Sequence, residues 1–231
     1  MLRVSPPASW LDVSILIKTV ANHRETERRE LERQMGEQKI SFQLVTGNGD
    51  EPPRENFRRL LLAAIAACRP WFAHVEDDAY LSPRFGDDAM KRLHENIADV
   101  WTFYSSRIED LKPEHAARGW RRVTGGAFAN SQCVMIPTIY ARQMLDALPS
   151  WEIEHLRDES AVDYFIGWFV RKNKLTLCAS IPSLVQHRQL PSLLRHRKRY
   201  GRISRTFAKA FGAVPGEESE TAEAMQKASC R

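Results

Sequence analysis

Residues 71 to 83, WFAHVEDDAYLSP, run from apolar side chains directly into three adjacent acids, Glu76, Asp77 and Asp78. Adjacent carboxylates repel one another, and partly buried ones are costly unless paired or bound to a cation. Mg2+ or Mn2+ would resolve the conflict, because these ions favour oxygen donors and are held by one or two carboxylates together with substrate phosphates. Taken alone, the triplet is equally well explained as a solvated loop that caps a helix. A second chemical signal lies in the charge distribution. From Arg188 to Gly212 there are eight Lys or Arg and no acid, although the whole chain carries a formal net charge of only +5. Such a run is either a solvated helix face or a surface that meets phosphate, in a nucleotide or a nucleic acid.

The elements that must position these residues read as an alternation of strands and helices. LDVSILIKTV (11 to 20) is β-branched and apolar, as a strand buried on both faces requires. NHRETERRELERQMG follows as a charged helix, with Asn22 as its cap and Gly36 as its end. KISFQLVT (39 to 46) is a second strand, ENFRRLLLAAIAACR a helix and WFAHVEDDA a third strand. This β-α-β-α-β order predicts a parallel sheet with crossover helices. Further along, SPRFGDDAMKRLHENI predicts a helix capped by Ser82, DVWTFYSS a strand, and TGGAFANSQCVMIP a Gly-rich turn and a strand. TIYARQMLDAL and DESAVDYFIGWFVRKN predict two more helices, and LTLCASIPSLVQH a last strand. The expected fold class is α/β: a mixed, mainly parallel, Rossmann-like sheet flanked by helices in a single domain. In such sheets ligands bind outside the carboxyl ends of the strands, which is where the three acids fall.

Length and composition narrow the alternatives. A chain of 231 residues supports one sizeable core rather than two. Its 43% apolar and 27% charged residues, with six Trp and ten Phe, exclude a mainly disordered chain. The longest apolar stretches, LLLAAIAAC and VSILI, fall short of the ~20 residues of a membrane-spanning helix. The N-terminal segment also lacks the apolar centre of a signal peptide, so a cytoplasmic protein with no transmembrane segment is expected. Cys68, Cys133, Cys178 and Cys230 form no C-x-x-C pair, which argues against a zinc knuckle or disulfide framework and for reduced thiols acting as small hydrophobes. Residues 213 to 231, with four acids against two bases, are expected to form a flexible tail. The oligomeric state is not legible in the sequence.

Taken in order, the β-α-β-α-β start, the strand-terminal acids, GGAFANSQCVMIP, DESAVDYFIGWF and PSLVQHR resemble the GT-A glycosyltransferases, over residues 11 to 207. The resemblance implies a nucleotide-sugar-binding half at 11–100 and an acceptor-binding half at 101–212. It implies metal-dependent transfer of a hexosyl or pentosyl group from a nucleotide sugar, above all a UDP-sugar, to a hydroxyl, with inversion; a retaining reaction would use the site differently. On that reading EDD is a DxD-like motif. Asp78 would ligate the Mn2+ or Mg2+ that bridges the donor phosphates, while Glu76 and Asp77 face the ribose or support the metal. Glu in the first place departs from the strict motif and weakens the ribose contact more than the metal site. His187 in PSLVQH matches a histidine beside metal and diphosphate. Thr19, at the first strand's end, and Asn56 with Arg59, an Asn-x-x-Arg pair on one helix face, would meet the donor. Asp163 matches an acid near the acceptor that removes its proton, with Asp158 and Glu159 as competitors. A serine and a cation following the histidine would close over the phosphates, with Ser192, Lys198, Arg199, Ser204 and Arg205 as candidates.

A pyrophosphate needs only one or two cations, and the basic run exceeds that. The surplus predicts a polyanionic acceptor whose phosphates meet Arg195, Arg197, Lys198, Arg199 and Arg202, with Tyr200 and Phe207 stacking on a base. The acceptor would then resemble that of phage-type DNA glycosyltransferases, a hydroxymethylated base drawn out of the duplex, in bacterial or phage-infected cytosol. A glycan, lipid-linked or protein acceptor, or a nucleic-acid-binding protein without catalysis, are the alternatives.

Overall fold

A computed structural model describes residues 4–20, 23–48, 51–124, 128, 131–154, 162–188 and 203–215. A short 3-10 helix, Trp10–Asp12, capped by Ser9, leads into strand β1 (Val13–Val20). Helix α1 (Glu25–Glu37), strand β2 (Phe42–Gly47), helix α2 (Pro53–Ala66) and strand β3 (Trp71–Glu76) follow, as the alternating pattern predicts. A tight turn at Asp77 and Asp78 leads to strand β4 (Ala79–Leu81), then helix α3 (Phe85–His94) and strand β5 (Val100–Thr102). Helix α4 (Pro113–Arg118), strands β6 (Trp120–Val123) and β7 (Cys133–Pro137), and helices α5 (Thr138–Glu154) and α6 (Val162–Lys172) come next. The described chain closes with β8 (Leu177–Ser180), β9 (Val185–His187) and helix α7 (Arg205–Phe211).

Seven strands form one mixed sheet in the order β2-β1-β3-β7-β5-β8-β6. Strands β1, β2 and β3 are mutually parallel, β5 and β8 are parallel, and β7 and β6 run against their neighbours. The fold is therefore the single-domain α/β architecture with a mainly parallel sheet. Period-two alternation sorts its side chains into two layers. Val13, Ile15, Ile17, Trp71, Ala73 and Val75 pack with Leu31 and Met35 of α1 and Phe85 of α3. Leu16, Phe72, Val134 and Ile136 pack on the other side with Phe57 and Leu60 of α2 and Phe165 and Phe169 of α6. Because α1 and α2 cover opposite faces and β2 and β3 lie on opposite sides of β1, the carboxyl ends of β1 and β3 form the switch-point crevice of a doubly wound sheet.

Several boundaries differ from the sequence reading. Gly36 lies inside α1, and the left-handed residue after that helix is Lys39 (φ 57), so no glycine stop is used. Helix α1 starts after Arg24, itself left-handed (φ 51), while Asn22 lies outside the described residues. Ser82 does not cap α3, whose N-cap is Arg84; the Ser82 backbone N–H instead donates to Leu184 O at 2.8 Å, extending the contact between β4 and β9. LTLCASIPSLVQH is two strands, because Pro182 lacks the N–H needed to continue a ladder and the chain passes from the large sheet to a two-stranded one with β4. The buried thiols of Cys133 and Cys178 behave as small hydrophobes, burial pushing Cys178 up to about 12, while Cys68 is exposed. Among the described residues no helix is long and apolar enough to cross a membrane.

Candidate metal centre at the sheet edge

Backbone pairing fixes the acidic turn on three sides. Glu76 N–H donates to Gln132 O at 3.0 Å, Asp77 N–H to Lys18 O at 3.2 Å, and Arg188 N–H to Asp78 O at 3.1 Å. The antiparallel register of β4 with β9 pairs Ala79 with His187, which delivers the imidazole to the turn. Alternation then sends the three acids in different directions.

Glu76 points to the α2 and α6 face, beside Lys18. Lys18 Nζ lies 3.2 Å from Glu76 Oε1, Ser131 Oγ donates to the same oxygen at 2.9 Å, and Gln132 Nε2 donates to Oε2 at 3.4 Å. Burial is the largest influence on Glu76 and opposes its charge, but Lys18, then His74, His187 and the Ser131 hydroxyl together outweigh it and hold this carboxyl well below the usual range. Burial likewise works against the Lys18 charge, and Glu76 overcomes it, so that Lys18 is raised. Asp77 turns toward α1. Its carboxyl is pushed up to about 6, first by burial and then by the charge of Asp78, with Arg24 and the Thr19 hydroxyl pulling the other way. Arg24 Nη1 bridges Asp77 Oδ1, at 3.4 Å, and Asp78 Oδ2.

Asp78 occupies the tip and is only 1% exposed. Its Oδ2 lies 3.4 Å from His187 Nε2, and its buried Oδ1 has no hydrogen-bond partner among the described residues. One ligand atom each from Glu76, Asp78 and His187 lie within 4.8 Å of one another. Donors bound at ~2.1 Å to one ion are at most about 4.2 Å apart, so only a slight closing is needed. Two carboxylate oxygens and one imidazole suit Mn2+ or Mg2+, and three protein donors leave coordination positions for phosphate. The residues present fit such an ion.

The other predicted residues fall into three groups. Thr19 is buried beside Asp77, and Asn56 Nδ2 donates to Thr19 O at 3.0 Å, so both lie at the β1 end of the crevice. Arg59, one turn along α2, is on the surface and pairs with Glu51. Asp163 is half-buried in the first turn of α6, and its charge reaches Lys18. Ser204 caps α7, accepting from Phe207 N–H, while its own N–H donates to Gln186 Oε1 at 2.8 Å; Arg205 begins that helix. Phe207 does not stack on a base: it is 1% exposed and packs edge-on against Tyr80, because α7 buries one apolar face on the sheet edge. Asp158, Glu159, Ser192, Arg195, Arg197, Lys198, Arg199, Tyr200 and Arg202 lie outside the described residues.

Lys18, Arg24, Ser131 and Gln132 are site residues that the sequence reading did not single out. Lys18 carried a signal, a lone charge inside the apolar run SILIKTV. Arg24 carried none, since it sits in a helix segment full of Arg and Glu.

The fold is that of a doubly wound α/β protein, and Glu76, Asp78 and His187 form a cluster at the switch point that could hold a divalent ion. No protein-family model matches the chain, and no curated protein matches its sequence. Similar solved structures include A197 from STIV, at 10% identity and a TM-score of 0.46, covering 76% of this chain and 85% of that one. They also include a glycosyltransferase involved in glycosylation of the major capsid of PBCV-1, at 14% identity and a TM-score of 0.35, covering 58% and 66%. At such similarity the chemistry of this chain rests on its own geometry.

Proposed function

We propose that this protein is a metal-dependent glycosyltransferase that moves a sugar from a nucleotide-sugar donor, a UDP-sugar above all, to a hydroxyl. The observation that carries the reading is the convergence of Glu76, Asp78 and His187 at the carboxyl ends of β3 and β9, beside Thr19 and Asn56. Asp78, His187 and Glu76 hold the ion, which when bound supplies positive charge to the diphosphate leaving group. Asn56 Oδ1 is buried without a hydrogen-bond partner among the described residues, an acceptor that a nucleotide N–H would satisfy. Asp77 and the cations Arg59 and Arg205, with Ser192, complete the donor side. Asp163 takes the proton of the acceptor hydroxyl. The acceptor oxygen bonds to the anomeric carbon as the bond from that carbon to the diphosphate oxygen breaks, and the nucleoside diphosphate leaves with the electron pair. The configuration inverts.

For the acceptor we favour a hydroxymethylated base in DNA, on the strength of the eight Lys and Arg between Arg188 and Gly212. The test is a donor panel with Mn2+ or with chelator, offered duplex DNA with and without hydroxymethylated bases, and read by mass of the acceptor. Metal-dependent mass gain, lost in Asp78→Asn, is expected. Turnover that survives both chelation and Asp78→Asn overturns the metal role. Donor turnover onto a glycan but not DNA overturns the acceptor. Salt-sensitive DNA binding with no donor affinity identifies a binding module instead.

A further inference from the structure

The acidic turn already contains a cation. Arg24 Nη1 contacts Asp78 Oδ2, the oxygen that His187 Nε2 faces at 3.4 Å, and also lies 3.4 Å from Asp77 Oδ1. Lys18 is committed to Glu76 on the opposite face of the sheet. The three acids are thus matched by two fixed positive charges, and the one on Arg24 sits on a carboxylate that a divalent ion needs.

An ion and a guanidinium within a few ångströms repel strongly in a poorly solvated site. We infer that Arg24 is an exchangeable counter-ion: it holds Asp78 when no metal is bound, yields that oxygen to the incoming ion, and transfers to the phosphates of the donor. This inference rests on the metal reading of the site given above. Its consequence is ordered assembly. A bare divalent ion must displace Arg24 with nothing to receive the guanidinium, whereas an ion arriving with a diphosphate brings the anion that Arg24 then binds. Arg suits this role because its planar fork pairs with carboxylate and phosphate alike. The same contact explains how two adjacent, nearly buried aspartates are tolerated without an ion, since Asp77 and Asp78 are 4% and 1% exposed.

The experiment measures Mn2+ binding to the full chain by electron paramagnetic resonance, with and without UDP, in wild type, Arg24→Gln, Arg24→Lys and Asp78→Asn. Arg24→Gln is expected to bind Mn2+ alone about tenfold to a hundredfold more tightly, the range a charge-assisted hydrogen bond carries. It is also expected to lose most of the gain in Mn2+ affinity that UDP gives wild type. Arg24→Lys, which keeps the charge, is expected to stay within about threefold of wild type, less than a neutral hydrogen bond is worth. If Arg24→Gln does not fold, Arg24→Lys binding Mn2+ as weakly as wild type while retaining the UDP effect supports the exchange, and loss of the UDP effect overturns it. Mn2+ binding that depends on Asp78 but is not tightened by Arg24→Gln overturns the role of Arg24 alone. Mn2+ binding that is absent from wild type and Arg24→Gln alike overturns the metal reading beneath it.

Discussion

Replacing Lys18 by Met keeps the aliphatic stem on β1 and removes the ammonium that faces Glu76. At 3.2 Å and an effective dielectric constant of about 20, the gross attraction is about 5 kcal/mol. Removing one partner of a buried pair costs about 3–5 kcal/mol, because the other charge is stranded. Solvent still reaches 17% of the Lys18 side chain and 18% of that of Glu76, which reduces the expected loss to about 2–4 kcal/mol. Ser131 and Gln132 remain as hydrogen-bond donors to Glu76, so the variant should fold. Urea unfolding in chelator at pH 7 measures the loss, and Lys18→Met combined with Glu76→Gln should recover at least about 1.5 kcal/mol of the summed single losses. The folded pKa of Glu76 is lowered, so its contribution is present above the unfolded value near 4.3 and is lost as pH falls through the folded one. That of Lys18 is raised, so its contribution is present below about 10.4 and is lost as pH rises through the folded value. The coupling should therefore be flat between those limits. A loss below about 1 kcal/mol, or strict additivity in the double variant, refutes the pair as an energetic unit.

His74 is fully buried in β3 with neither ring nitrogen bonded to a described residue, and burial, then Lys18, lowers it to about 3. Below the unfolded value near 6.5 the unfolded chain binds a proton that the folded one refuses, so stability falls by up to about 1.4 kcal/mol per pH unit. Stability curves of His74→Leu and wild type, compared by urea unfolding from pH 7 to 4, should diverge by that slope in favour of the variant at acid pH. A Cβ at Gly47 would stand 2.7 Å from Asn56 Cγ and Nδ2, and Asn56 is anchored on Thr19 O. Gly47→Ala is expected to cost about 1–3 kcal/mol in wild type, and much less in an Asn56→Ala background, as urea unfolding of the four proteins would measure.

The first half of the chain was legible because its signals are local. Apolar, β-branched runs alternating with helical segments define β1 to β3, and the acids at the strand end follow from that order. Boundaries failed where the fold overrode local preference: Gly36 stayed helical, and Ser82, whose N–H donates to Leu184 O just before β9, lies two residues ahead of the Arg84 N-cap of α3. Strand β6 was missed because WRRV carries too little apolar alternation to stand out, yet pairing with β8 makes it a strand. At the candidate site, Asp78 was singled out by residue type and position and His187 by the family resemblance, and the two lie together, whereas the contact of Arg24 required the approach of two segments 54 residues apart, which no spacing announces.

Three consecutive carboxylates remain compatible because each is met by a cation, although Asp77 still feels the charge of Asp78. Glu76 ends a strand, so its side chain leaves on the face of Lys18; Asp77, the next residue, leaves on the face of α1 and meets Arg24. Asp78, the second residue of the turn, lies against His187, whose Nε2 is 3.4 Å from its Oδ2. An insertion of one residue in β3 would exchange the faces, setting an acid among the apolar side chains of α1 and removing the partner of Lys18. The acids are therefore read in register: Glu76 is paired with a lysine in the sheet, Asp77 and Asp78 share Arg24, and Asp78 alone of the two aspartates also faces His187.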